Sequence, residues 1–203
     1  MASRTLRYFP IIHSQPDMGA LSESIRKVTL QKLGERVWRR KINLVERFWS
    51  EIIDALQTLS LDYKRTRVYQ DGLPICGKEL DIVLELAKKG NLNHQLLMRL
   101  HEQGATIMGT ESVDLLMEEY AINKKILASG DFYQVTELAA MQKAASDLLL
   151  EKRDAFIASR IDQTLQAGET GILFLGMLHH VAGRLPEDME ILYPISRQPG
   201  KEK

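Results

Sequence analysis

Five short apolar runs punctuate the chain, and longer stretches with a helical period separate them. The runs are Thr5 to Ile12, Thr66 to Tyr69, Ala105 to Met108, Gly171 to Leu178 and Met189 to Ile195. Each has the length of a strand. The fourth carries no polar side chain from Ile172 to Leu178, which predicts a strand covered on both faces.

Between the runs the period changes to that of a helix. Leu44, Phe48, Ile52 and Leu56 recur every fourth residue with Val45, Trp49 and Ile53 beside them, one wide apolar stripe. Leu21, Ile25, Val28 and Leu33 predict a helix before it. Leu80, Val83, Leu84 and Ala87 predict a third, closed by Lys88-Lys89-Gly90. Asn91 to Glu102 reads as a fourth that stops at Gly104, and Val113, Leu116, Met117 and Tyr120 open a fifth. Asp131 caps a region rich in Ala, Leu, Glu and Lys that runs to Leu165, as one helix or two.

Strands alternating with helices predict an α/β fold: a mainly parallel central sheet of about five strands, helices on both faces, and right-handed crossovers. The crossovers through 14–65 and 112–170 hold long helical insertions. There is no internal repeat or linker, so 1–203 reads as a single domain with a frayed tail from about Arg197.

Composition narrows the class but not the activity. Lys+Arg and Asp+Glu are 27 each, so the formal net charge is zero, which weighs against nucleic acid as a partner. Hydrophobic residues at 44% and charged residues at 27% suit a soluble globular chain and not a disordered one. One cysteine, Cys76, excludes an internal disulfide and a multi-cysteine metal site. No signal-like start and no membrane-length apolar run is present, so the expected location is the cytoplasm, without membrane association.

Ligands in open α/β sheets bind beyond the carboxyl ends of the strands. The first run is followed by His13, Ser14, Gln15, Pro16 and Asp17; the second by Gln70, Asp71 and Gly72; the third by Gly109, Thr110 and Glu111; the fourth by His179 and His180. Parallel strands would collect these imidazoles and carboxylates on one edge. Imidazole serves there as a general base or a neutral metal ligand, and carboxylates orient imidazoles, hold metals or accept protons. Histidine and carboxylate around an open position suit metal-assisted hydrolysis. Gly176 would let a ligand or another backbone approach closely.

Plainer readings stand beside these. Asp17 would equally N-cap the first helix, Glu111 would suit the first turn of the fifth, and Asp71 before Gly72 suits a turn. If the fourth strand continues, His180 points away from His179. His94 and His101 share a helix face, as surface histidines often do. Cys76 reads as a buried, inert thiol. The basic run from Arg36 to Lys41 reads as a solvated helix face, and Met98, Met108, Met117, Met141 and Met177 as core filling. Phe48 and Trp49 suit a homodimer face or ordinary core packing.

Two motifs, Pro10-Ile11-Ile12-His13 and Gly176-Met177-Leu178-His179, resemble the paired Gly-x-x-His motifs of the TraB/Tiki/erythromycin-esterase/ChaN-like superfamily. Gly171 to Gly183 is similar to its closing strand and loop, and Glu151 to Ala158 to its Arg-Asp helix motif. Pro10 departs from the first motif's glycine, and Gln70-Asp71 stands where the second strand commonly ends in glutamate. The resemblance implies a central sheet with inserted helices and a site at the strand ends. The superfamily includes metal-dependent peptidases, an esterase with a histidine base, and haem-binding proteins. His13 and His179 would be the motif histidines, as base or as ligands of a divalent metal (Mn, Co or Zn), with Asp71 or Glu111 completing the site. Asp17, His180, Arg153 and Asp154 would support it or bind a small-molecule or peptide substrate. The expectation is a hydrolase of amide or ester bonds. The alternative is a non-catalytic protein that binds a small molecule, such as haem, on the same scaffold.

Overall fold

In the computed structural model the described residues are 3–13, 22–128 and 136–195. They fold as an α/β domain: β1 (Arg4–Ile11), α1 (Ser22–Gln57), β2 (Thr66–Gln70), α2 (Glu79–Lys88), α3 (Leu92–Glu102), β3 (Thr106–Met108), α4 (Val113–Ala128), α5 (Thr136–Thr164), β4 (Thr170–Gly176) and β5 (Met189–Leu192). The strands form one sheet in the order β3-β2-β4-β1-β5, with every pair parallel. Among the described residues no helix is long and apolar enough to cross a membrane.

Strand alternation sorts the core into two layers. Phe9 and Ile11 of β1, Val68 of β2, and Ile172 and Phe174 of β4 face one way, against Trp49 and Ile52 of α1, Val83 of α2, and Leu97 of α3. Leu6, Tyr8, Tyr69, Leu173 and Leu175 face the other, against Ile157, Ala158, Ile161 and Leu165 of α5. With both faces covered, β4 is buried throughout its apolar stretch, as its composition requires.

Local signals act as the sequence reading expects at several ends. Asn91 caps α3 by accepting the His94 backbone N–H, and Gly90 and Gly104 turn the chain in the left-handed region beyond α2 and α3. α1 is two helical segments joined at Gly34, whose φ of 75° only glycine adopts without strain.

Other details differ. β4 stops at Gly176, so Met177 and Leu178 form a turn and Leu178 is 76% exposed. Leu44, at the margin of the α1 stripe, is 53% exposed, whereas Phe48 and Trp49 are buried in the core, which removes them from a dimer face. Trp38 is buried within the basic run, His94 is buried, Cys76 is exposed, and Met117 and Met177 lie at the surface. The region after 136 is a single helix, α5. Asp17, Leu21, Asp131 and the tail from Arg197 lie outside the described residues.

Candidate functional site

The strand order sets β2, β4 and β1 side by side, so the residues that follow them line one stretch of the carboxyl edge. Ile11 pairs with Gly176, and the Asp71 N–H extends the ladder by donating to the Phe174 carbonyl (2.9 Å). Asp71, Gly176 and His13 therefore reach one level. Asp71 has the same strand parity as Tyr69 and points toward α5. There α5 presents Arg153 and Asp154, one turn before Ile157, whose side chain covers the sheet.

Asp71 is the hub. Its Oδ2 accepts the Gly176 backbone N–H (2.8 Å) and lies 3.0 Å from His13 Nε2 and 3.5 Å from His179 Nε2. Its Oδ1 accepts from Arg153 Nη2 (2.9 Å). Gly176 explains how three groups converge on one oxygen: a Cβ there would stand 2.9 Å from Asp71 Oδ2 and 3.0 Å from His13 Nε2. The close approach made by this glycine is to side chains of the site itself.

Behind Asp71 lies a buried ionic cluster. Arg153 donates from Nε to Glu111 Oε2 (2.6 Å), from Nη2 to Glu111 Oε1 (2.7 Å), and from Nη1 to Glu119 Oε1 (2.6 Å). Glu111 Oε1 also accepts the Gly72 N–H (2.7 Å), so this glutamate clamps the turn after β2 and does not merely start α4. A bridge between Pro74 and Glu111 holds the two loops in register.

Asp154 serves the other imidazole. Its Oδ1 is 2.5 Å from His179 Nδ1, and its Oδ2 accepts the His180 backbone N–H (2.8 Å). His179 is reached across a turn, its N–H donating to the Gly176 carbonyl (3.0 Å), and is not the next residue of a strand. His179 is buried, while His180 and His13 are exposed.

Burial pushes the Asp71 carboxyl up, but the His13 hydrogen bond, the imidazoles of His13 and His179 when protonated, and the Arg153 charge outweigh it and hold the group below the usual carboxylate range. Burial dominates at Glu111 and, helped by nearby Asp71, raises it against the pull of Arg153. Burial opposes the charge on Arg153, yet Glu111, Asp71 and Glu119 raise it further. One guanidinium thus serves two buried carboxylates whose proton affinities are driven apart.

A cleft of about 420 Å³ opens beside His179, walled by Tyr8, Pro10, His180, Tyr193 and the 181–183 loop. The Tyr8 and Tyr193 rings lie 5.3 Å apart. Burial, Tyr193, and the Asp154 and Asp71 carboxylates raise the Tyr8 phenol well above its usual range, so it stays a donor.

Two imidazole nitrogens and a carboxylate oxygen suit Mn, Co or Zn as a donor set. Among the described residues, however, no three His, Cys, Asp or Glu side chains are grouped to hold a metal ion. Asp71 Oδ2 is taken by the Gly176 N–H and His13, and a guanidinium already supplies the buried positive charge. The site as built does not fit a metal.

The edge thus brings together His13, Asp71, Glu111, Arg153, Asp154 and His179, with His180 contributing its backbone. Glu119, Tyr8 and Tyr193 do not follow the end of an apolar run. Tyr8 carried a signal, since it alternates with Leu6 on β1; Glu119 is one acid among several on α4 and carried none. Compared with protein-family models, curated proteins and solved structures, the chain matches none.

Proposed function

We propose that the chain hydrolyses an amide or ester bond of a small molecule or peptide held in the cleft, with His179 as general base. The observation that carries this reading is the His179 Nδ1–Asp154 Oδ1 contact of 2.5 Å in a histidine that also borders the cleft. A carboxylate on Nδ1 fixes the ring and its tautomer and leaves Nε2 to take a proton. Nε2 removes a proton from water while the water oxygen bonds to the substrate carbonyl carbon, and the carbonyl π pair moves onto oxygen. Asp71 Oδ2, 3.5 Å from Nε2, stabilises the resulting imidazolium. The imidazolium then returns the proton to the leaving nitrogen or oxygen as its bond to carbon breaks. The products are a carboxylic acid and an amine or alcohol. Tyr8 is the cleft-wall donor for the oxyanion. His13, Arg153 and Glu111 position Asp71.

The test is hydrolysis of p-nitrophenyl esters and amino-acid p-nitroanilides, with chelator and with added Mn, Co or Zn as separate arms. His179→Ala is expected to lower kcat about 10²–10⁴-fold, and Asp154→Asn to follow it. Equal turnover by wild type and His179→Ala removes the reading. Turnover that vanishes with chelator and returns with one cation moves His13, His179 and Asp71 from base and hub to ligands.

The aromatic cleft wall favours a second reading, a non-catalytic binding protein. Haem iron accepts His and Tyr ligands, and both residue types border the cleft. A haem titration followed by absorbance tests it; an unchanged haem spectrum at saturating protein counts against haem.

A further inference from the structure

We infer that the outward face of α1 between Lys32 and Arg47 docks onto an anionic membrane surface. Arg36, Val37, Arg40, Leu44 and Arg47 fall at spacings of three, four and seven residues, and so share one side of the helix. Trp38, Val45, Phe48, Trp49 and Ile52 occupy the adjoining arc and are buried, with Val37 and Leu44 at its exposed margin. All five residues of the outward side are exposed.

Charge points to the occupant. Residues 32–47 contain six Lys or Arg against two Glu, in a chain whose formal charge sums to zero. This stretch is therefore a positive pole balanced by acid elsewhere. Arg39 is paired with Glu35 on the same helix. Electrostatic attraction alone would equally suit a nucleic acid or an acidic protein. The exposed aliphatic side chains interleaved with the cations favour lipid: a phosphodiester backbone offers nothing to cover Val37 and Leu44, whereas the headgroup–acyl boundary accepts both the aliphatic groups and the cations. α1 covers the sheet face opposite α5, while Tyr8 and Asp71 point to the α5 side. Docking through α1 leaves the cleft open.

The experiment is co-sedimentation of the full chain with vesicles of phosphatidylcholine alone and of phosphatidylcholine with phosphatidylglycerol, independent of any catalytic assay. The bound fraction is expected to rise about tenfold with the anionic lipid and to fall as salt shortens the screening length. Arg36→Glu/Arg40→Glu is expected to abolish the rise. Val37→Gln/Leu44→Gln is expected to lose several-fold of the binding that survives near-physiological salt. Circular dichroism confirms that both variants keep their helices. Failure of wild type to pellet with anionic vesicles at low salt overturns the proposal. So does wild-type binding by Val37→Gln/Leu44→Gln, which reassigns the face to a purely electrostatic partner.

Discussion

Gly176 donates its backbone N–H to Asp71 Oδ2 at 2.8 Å and, lacking a side chain, lets that oxygen and His13 Nε2 lie where its Cβ would crowd both. The glycine is required by proximity and not by a left-handed backbone. Gly176→Ala is therefore expected to push Asp71 and His13 apart while the β4 ladder persists. Overpacking of this kind costs about 1–3 kcal/mol of stability. Under the hydrolase reading, kcat/KM falls further than that loss explains, because the Asp71–His179 alignment is disturbed. Thermal unfolding and kcat/KM measured on one preparation check this; unchanged turnover in a destabilised variant would show that the alignment is irrelevant to activity.

Arg153 binds Asp71, Glu111 and Glu119 at once from a 5%-exposed position, so its loss strands two buried carboxylates. Arg153→Met is expected to cost about 3–5 kcal/mol, the usual result of removing one partner from a buried ionic cluster. Arg153→Lys keeps the charge but cannot reach three acids with a planar fork, and its loss should be intermediate. Urea midpoints for the three proteins check the order. A lysine variant as stable as wild type would mean that charge alone, without the fork, holds the cluster.

The cluster also sets a pH dependence. The Asp71 carboxyl titrates lower in the folded protein than in the unfolded chain. Its contribution to stability is therefore complete above the unfolded aspartate value of about 3.9 and is lost as pH falls from there through the lower folded value. Glu111, raised by burial, has the opposite sign: its contribution is complete below the unfolded glutamate value of about 4.3 and is lost as pH rises through the folded value. Asp71→Asn should therefore flatten the fall in stability below about pH 4, while costing most at neutral pH. Denaturation midpoints from pH 7 downward give the comparison. Parallel curves for wild type and Asp71→Asn would rule out Asp71 as a source of the acid dependence.

How much of this was readable in the sequence depends on what fixes each residue. His13 and Asp71 were visible because apolar runs end there, and parallel strands must deliver such ends to one edge. The sheet order that sets β4 between β2 and β1 was not visible, although it makes Gly176 the meeting point. Leu178 belongs to the fourth apolar run, but an apolar run does not reveal where pairing stops; the turn after Gly176 ends it. Leu44 belonged to a four-residue period but sat at the margin of the buried arc. Arg153 and Asp154 stood out only through a motif resemblance, since mid-helix charges usually face solvent. Their role depends on α5 running from the carboxyl edge towards the amino edge, which sets the turn before Ile157 beside Asp71 and His179. Glu119 depends on how α4 and α5 meet, which no local pattern encodes.

Tyr8 gives a sharper view of the cleft. It lies on β1 with its ring against Tyr193 and its phenol held in the protonated form. A protonated phenol on the cleft wall can donate to a carbonyl oxygen as negative charge builds there. That interaction strengthens in the transition state, so its removal should act on kcat more than on KM. Tyr8→Phe retains the ring and its packing against Tyr193 and deletes only the hydroxyl. Under the hydrolase reading it is expected to lower kcat about 10²–10³-fold with little change in KM or in melting temperature. Tyr193→Phe should change kcat far less. Equal effects of the two substitutions, or a change in KM alone, would assign the tyrosines to substrate binding and leave the oxyanion to another donor.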